Sequence, residues 1–154
     1  MTRLVRLSGN VLLALIVAGA VYAGTIVIKT KRDNAEAAAY TSEAVAAMAA
    51  NWNAEELLKR AAPEWLSPAD KSGLKVLFSR FTALGKLRSL HAPAGRVGNG
   101  AFPGTAINGT WAEYAVVGEF DAGPSEFRMV LKRVDDGWQV AAFQVRSEAL
   151  AGKK

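Results

Sequence analysis

Residues 110–121 read TWAEYAVVGEFD, and two interleaved sets can be taken from them. Ala112, Tyr114, Val116, Gly118 and Phe120 alternate with Trp111, Glu113, Ala115, Val117 and Glu119. A period of two is that of a β-strand, in which successive side chains point to opposite faces. One set is apolar, so it predicts a face turned toward a core; the other carries two acids, so it predicts a face turned toward water. Working outward, Asp121-Ala122-Gly123-Pro124 is turn sequence. Phe127, Met129 and Leu131 then alternate with Glu126, Arg128 and Lys132, a second half-wet strand. Asp135-Asp136-Gly137 closes a hairpin into a third strand, Trp138 to Arg146. The apolar phase slips between Val140 and Phe143, which predicts a bulge at Ala141-Ala142. Ser147 to Lys154 reads as a short polar tail.

Upstream the texture changes. Lys86 to Val97 mixes apolar and basic residues and predicts a bent strand broken near Pro93. Gly98 to Gly104 is a flexible loop; its glycine spacing does not fit a dinucleotide loop, and no helix follows to receive a phosphate. Before it, Ser67-Pro68-Ala69-Asp70 opens a helix with an N-cap, a proline at the first helical position and an acid in the first turn. Leu74, Leu77, Phe78, Phe81 and Leu84 form its predicted buried face, and Gly85 its stop. Asn53 with Glu56 is a capping-box pattern for a short helix that ends before Pro63. The alanine-rich stretch from Ala35 to Ala50 predicts the first long helix. Its apolar stripe is Tyr40, Ala44, Met48 and Trp52, with Val45 beside it.

Farther upstream lies a different kind of segment. Leu7 to Ile28 is 22 residues without a charge, and a helix of that length spans roughly 33 Å, enough for a bilayer core. Arg3 and Arg6 stand on one side, and Lys29, Lys31 and Arg32 on the other. This pattern predicts a transmembrane anchor over 1–32, a globular domain over 33–147 and a tail over 148–154. A cleaved signal peptide is the alternative, with Ala18-Gly19-Ala20 or Val21-Tyr22-Ala23 as the cleavage site. The apolar run continues past both of those sites, which favours the anchor. Basic residues on the two flanks balance, so charge alone does not orient the span.

Charge location excludes one function class. Five of the 19 Lys/Arg lie at or before Arg32, and all 14 Asp/Glu lie at or after Asp33. Domain and tail together, residues 33–154, therefore hold 14 basic against 14 acidic residues, and the +5 excess belongs to the membrane flanks. No basic surplus remains for a nucleic-acid face. The chain has no cysteine and a single histidine, His91, which excludes disulfides, thiol nucleophiles and Cys- or His-cluster metal sites. No metal and no cofactor is expected.

Helices first, then a run of antiparallel strands, is an α+β layout in which a curved sheet wraps its helices. This order resembles the nuclear-transport-factor-2-like superfamily of curved-sheet cones, also called cystatin-like. The likeness rests on the capped Asn53-Ala-Glu-Glu-Leu-Leu segment and the helix ending Thr82-Ala-Leu-Gly85. It rests also on the closing strands around Glu126-Phe127-Arg128-Met129-Val130-Leu131 and Gly137-Trp138-Gln139-Val140. It covers about Asn34 to Arg146 and is one of pattern and order, without an invariant chemical motif. Within that group the chain looks most like membrane-tethered bacterial members of unassigned function. The inner-membrane scaffold of type IV secretion machines is similar in plan, with a longer cytoplasmic tail.

Some cones are enzymes, such as ketosteroid isomerase and scytalone dehydratase, and the resemblance implies Tyr40, Tyr114, Asp70, His91 and Asp121 as possible equivalents here. Asp70 reads better as a helix-start residue, Asp121 as a turn former, His91 as an exposed residue and the tyrosines as packing groups. No Gly-x-Ser-x-Gly elbow exists. The expected function is therefore a non-enzymatic, single-pass binding or assembly module of the cell envelope. Its domain is expected outside the inner membrane, held to the bilayer by residues 7–28 and bound to a protein partner or a second copy. The interaction face is Trp111, Glu113, Ala115, Val117 and Glu119, an apolar centre rimmed by acids. The alternative is an apolar small-molecule or lipid binder. Its pocket would be lined by Tyr40, Met48, Trp52, Phe78, Phe81, Tyr114, Phe120 and Met129.

Overall fold

The computed structural model of the chain describes residues 29–65 and 68–151. The apolar run 7–28, the Ser67 N-cap and the last three residues lie outside them. No helix among the described residues is long and apolar enough to cross a membrane. The chain divides into two compact units, Met1–Asp33 and Asn34–Lys154. Residues 29–33 of the first unit are helical; the rest of this account concerns the second.

Helix α1 (34–51 within this unit) is built mostly of alanine, the residue with the least to lose in a helix. It buries Ala37, Thr41, Ala44, Val45, Met48 and Ala49 along one side. Thr41 lies fully inside because its hydroxyl donates to the Ala37 carbonyl at 2.8 Å, leaving no stranded polar group. The helix breaks at Trp52, whose φ of 47° lies in the left-handed region that a bulky side chain seldom adopts. Two contacts hold it there. The indole N–H donates to the Gly85 carbonyl at 3.1 Å, and the ring packs among Phe81, Phe120 and Phe127.

Asn53 caps α2 (Ala54–Leu58) by accepting from the Glu55 N–H at 3.0 Å. The expected capping box does not form, because Asn53 reaches the second helical N–H and not the third, and the Glu56 carboxylate pairs with Lys59 and Arg60 instead of turning back to the cap. After a 3₁₀ turn at Pro63–Trp65 comes α3 (Pro68–Phe81), then a second 3₁₀ turn (Thr82–Leu84) ended by Gly85 at φ 76°. Of the face predicted for α3, Phe78, Phe81 and Leu84 are buried and Leu74 is half-buried. Leu77 corrects the prediction: it is 38% exposed, beside Val76 at 58%. A helix turns 100° per residue, so Leu74, Phe78 and Phe81 share one line facing the sheet and Leu77 falls at its margin.

Five strands form one antiparallel meander. Strands β1 (Leu87–Leu90) and β2 (Ala94–Asn99) both lie along the same edge of β3 (Thr110–Phe120), with His91 to Pro93 between them. They form the bent, proline-interrupted strand expected from sequence. The hairpin from β2 to β3 runs through the loop 100–109, closed by paired backbone bonds between Gly100 and Gly109. Strand β4 (Gly123–Val134) pairs with β3, and β5 (Gly137–Ser147) pairs with β4. Val130 lies opposite Ala142 and Leu131 opposite Val140, so Ala141 is the extra residue of a bulge where the phase slip predicted one. The bulge frees Val140, whose N–H donates to the Arg60 carbonyl (2.7 Å) and whose carbonyl accepts from the Ala62 N–H (2.8 Å).

The segment expected to be a polar tail departs from that reading. Glu148–Ala151 is a helical turn, α4, which packs Ala149 and Leu150 against the core. The turn lies against β4, β5 and the second 3₁₀ turn, so burial of these two side chains holds it there. The result is α+β, with helices packed on one face of an antiparallel sheet.

Candidate functional site

Period-two alternation divides β3 as expected. Ala112, Tyr114, Val116, Gly118 and Phe120 are buried on the helix side, and Glu113, Ala115, Val117 and Glu119 are half-buried on the other.

The inner face accounts for the residues expected to line a pocket. Met48, Phe78, Phe81, Tyr114, Phe120 and Met129 are buried, and Tyr40 and Trp52 pack against them half-exposed. Ring centroids lie 5.3 Å apart for Trp52–Phe120 and for Phe78–Phe81, and 5.7 Å for Phe120–Phe127. Aromatic side chains at such distances are in van der Waals contact, and beside Trp52 a hollow of about 640 Å³ opens between the end of α1, the second 3₁₀ turn and β1, with Ala49, Gly85, Leu87 and Asp121 in its lining. The Tyr114 hydroxyl bonds to Asn34 Oδ1 at 2.9 Å, and burial raises its pKa above the ordinary value. The same Asn34 oxygen accepts from the Val97 N–H, so one side chain ties α1 to β2 and β3. Burial also raises the pKa of Tyr40, with Arg60 opposing the shift.

The other residues considered for chemistry lie apart. Asp70 falls in the first turn of α3. Asp121 sits at the β3–β4 turn, where it accepts from the Lys86 backbone N–H (2.8 Å) and from Arg88 Nε (2.6 Å). These two donors hold its carboxyl below the usual range. His91 is exposed on the outer side, its Nε2 3.3 Å from Glu119 Oε1, so the sheet separates it from the Tyr114 side chain. Among the described residues no group of three or more His, Asp or Glu side chains is placed to hold a metal ion.

The outer face differs from the sequence expectation at one end. Trp111 is only 7% exposed and is not the open centre of an apolar patch. Phe102, from the 100–109 loop, lies edge-on to its ring at 4.8 Å, and the Arg96 guanidinium sits 5.5 Å from its centre. Gly98 lies directly opposite Trp111, and a Cβ there would fall 2.2 Å from the indole. The glycine is the seat of the ring, which rests on bare backbone. Lys132, opposite Trp111 on β4, is paired to Glu64, so this end of the face is closed.

Below that end the face is open and ionic. Register places Arg96 opposite Glu113, Ala115 opposite Arg128, and Val117 opposite Glu126, which in turn lies opposite Arg146. Two hollows lie along it. One, of about 390 Å³, is lined by Ala94, Gly95, Arg96, Glu113, Ala115 and Arg128. The other, of about 450 Å³, includes Val117, Pro124, Glu126 and Arg146. Arg128 stands 3.8 Å from Glu126, whereas Arg96, Glu113 and Arg146 have no ion-pair partner among the described residues. Of the three arginines, Arg128 showed in the alternation of Glu126, Arg128 and Lys132, whereas Arg96 and Arg146 were missed by reading strands singly, since which neighbours they join depends on register. No protein-family profile, no curated protein and no solved structure matches this chain.

Proposed function

We propose that the chain is a membrane-tethered, non-enzymatic binding or assembly module of the cell envelope that acts through the outer face of its sheet. The tether is the uncharged run Leu7–Ile28, and the domain stands outside the inner membrane, by analogy with tethered cones of the nuclear-transport-factor-2-like type. One observation carries the choice of face. Arg96, Glu113 and Arg146 lie on an ordered sheet without ion-pair partners among the described residues, around half-buried Ala115 and Val117. A fixed array of both signs with a small apolar centre selects a protein surface of complementary charge, and specificity comes more from that match than from area. Tethering raises the local concentration, so a modest contact suffices. The alternative of an apolar ligand is left the hollow beside Trp52, since deeper in the inner face the aromatic rings occupy one another's space.

The test is capture of partners from detergent extracts with full-length wild type and with Val117→Arg, which adds a charge beside Glu126 and Arg128. Wild type should retain a defined set of envelope proteins or further copies of itself, and the variant should lose them while unfolding at nearly the same temperature. An identical set from both proteins would overturn the assignment of the face. Extraction of the full chain by alkaline carbonate would overturn the tether.

A further inference from the structure

The hollow beside Ala115 is ringed by charges that do not use one another. Its floor is short, Ala94 on β2 and Ala115 on β3, which are directly opposed. Three long side chains of the same sheet face stand around that floor: Arg96, Glu113 and Arg128. Arg96 and Glu113 are also directly opposed, where side chains of unlike charge ordinarily pair. Instead the Arg96 guanidinium lies 5.5 Å from the centre of the Trp111 ring, the diagonal neighbour on β3. The choice has a physical reason: water screens an exposed ion pair to little net gain, whereas a weakly hydrated guanidinium stacks readily on an indole face. Arg128, diagonal to Glu113 from β4, has only a loose contact to Glu126 at 3.8 Å.

Two guanidiniums and one carboxylate leave the hollow with a net charge of +1. A monoanion neutralises it, while a dianion such as phosphate would leave surplus negative charge beside Glu113. Size points the same way. At about 390 Å³ the hollow lies near the bottom of the range for ligand sites, roughly 300–1,000 Å³, and it is open to solvent above two alanines. It suits a short side chain that ends in a single charged group. Strands β2 and β4 flank β3 and so lie roughly 10 Å apart, a span that two arginine side chains reach across. Arginine forks match the two oxygens of a carboxylate.

We propose that this hollow receives the carboxylate of an aspartate or glutamate side chain on a docking protein segment, held between Arg96 and Arg128 over Ala94 and Ala115. Glu113 sets the selectivity, because it turns away groups of higher negative charge. The inference rests on the outer face being the docking face and names the chemistry of one of its contacts.

Trp111 reports on the site, since Arg96 must shift on its ring as the hollow fills. The chain has four tryptophans, so the Trp111 signal is the difference between wild type and Trp111→Phe. Full-length protein in an uncharged detergent is titrated with the blocked pentapeptide acetyl-Ala-Ala-Glu-Ala-Ala-amide, its glutamine twin, acetate and inorganic phosphate. The glutamate peptide should give a saturable change in the Trp111 signal, and the other three should bind more weakly. Arg96→Gln and Arg128→Gln should each weaken the peptide by about tenfold or more, because each removes a charge-assisted partner. For Arg96→Gln and Arg128→Gln the binding is read from backbone amide resonances of 94–96 and 113–115, which do not depend on the stacked guanidinium. Glu113→Gln should tighten the peptide and admit phosphate. The three side chains are exposed or half-buried on the outer face, so these variants should keep the wild-type unfolding temperature.

Equal binding of the glutamine twin, acetate or phosphate overturns the proposal, as does a wild type that the glutamate peptide leaves unchanged by both readouts. If the peptide fails to bind while Val117→Arg loses its partners, the carboxylate site falls and the docking face stands. If the peptide binds and Val117→Arg keeps every partner, the carboxylate site stands and the proposed function falls.

Discussion

The two faces of β3 are made by the same eleven residues and obey different rules. Inside, Tyr114, Val116 and Phe120 are placed by volume: each touches helix or neighbouring strand, and each ring limits where the next can go. Outside, Glu113, Ala115, Val117 and Glu119 leave room around them, and their neighbours Arg96, Arg128 and Arg146 are set by register. The inner face decides whether the chain folds, and the outer face decides what it touches. Substitutions should therefore separate cleanly between stability and association.

The largest effect is expected inside. Phe81→Ala or Phe127→Ala removes a buried ring from the cluster around Trp52 and should cost about 3–5 kcal/mol in denaturant unfolding. A loss under 1 kcal/mol at both sites would mean that the rings are loosely packed and the contrast between faces is weaker than drawn. Tyr114→Phe keeps the ring and deletes only its bonds to Asn34, so about 1 kcal/mol is expected.

At the rim between the faces the effect depends on pH. The Asp121 carboxyl is held below its ordinary pKa of about 4, so its contribution is complete above that value and is lost as pH falls through the folded-state pKa. Wild type should unfold at higher temperature than Asp121→Asn at neutral pH, and the two curves should converge in acid. A gap that persists unchanged into acid would remove the carboxylate from the explanation. The smallest stability changes belong outside. Val117→Arg should shift unfolding by no more than about 1 kcal/mol, and His91→Ala, which loses an exposed contact to Glu119, by less than about 0.5. Should Val117→Arg unfold the domain, Val117 is core and the division fails.

How much of this could be read from the sequence follows from the range of the interactions. The alternation of β3 and β4 was legible because each face sees one environment along its whole length. The bend at Pro93 and the bulge at Ala141 were legible because each breaks a local period. Burial of Trp111 was not, since its cover, Phe102, arrives from a loop nine residues away. Leu77 lay in the right stripe, but how far a stripe is covered depends on where the sheet ends. The arginines of the outer face needed strand register, which no single strand carries. For Ala149 and Leu150 the signal was a run of three apolar residues, Ala149 to Ala151, in a polar stretch, too short to show a period.

Order of synthesis adds a condition to the helices-first layout. The apolar side of α1 is complete once Ala49 has been made, yet Phe127, Met129, Leu131 and Val140, which belong to the same core, follow some 80 to 90 residues later. Until then Ala44, Val45 and Met48 have only α2, α3 and strands β1 to β3 for company, and the remaining strands bring contacts of long sequence separation that form slowly. A ribosome-bound chain halted before β4 should thus expose that apolar side to chaperones, and folding should become possible only as β5 and α4 emerge.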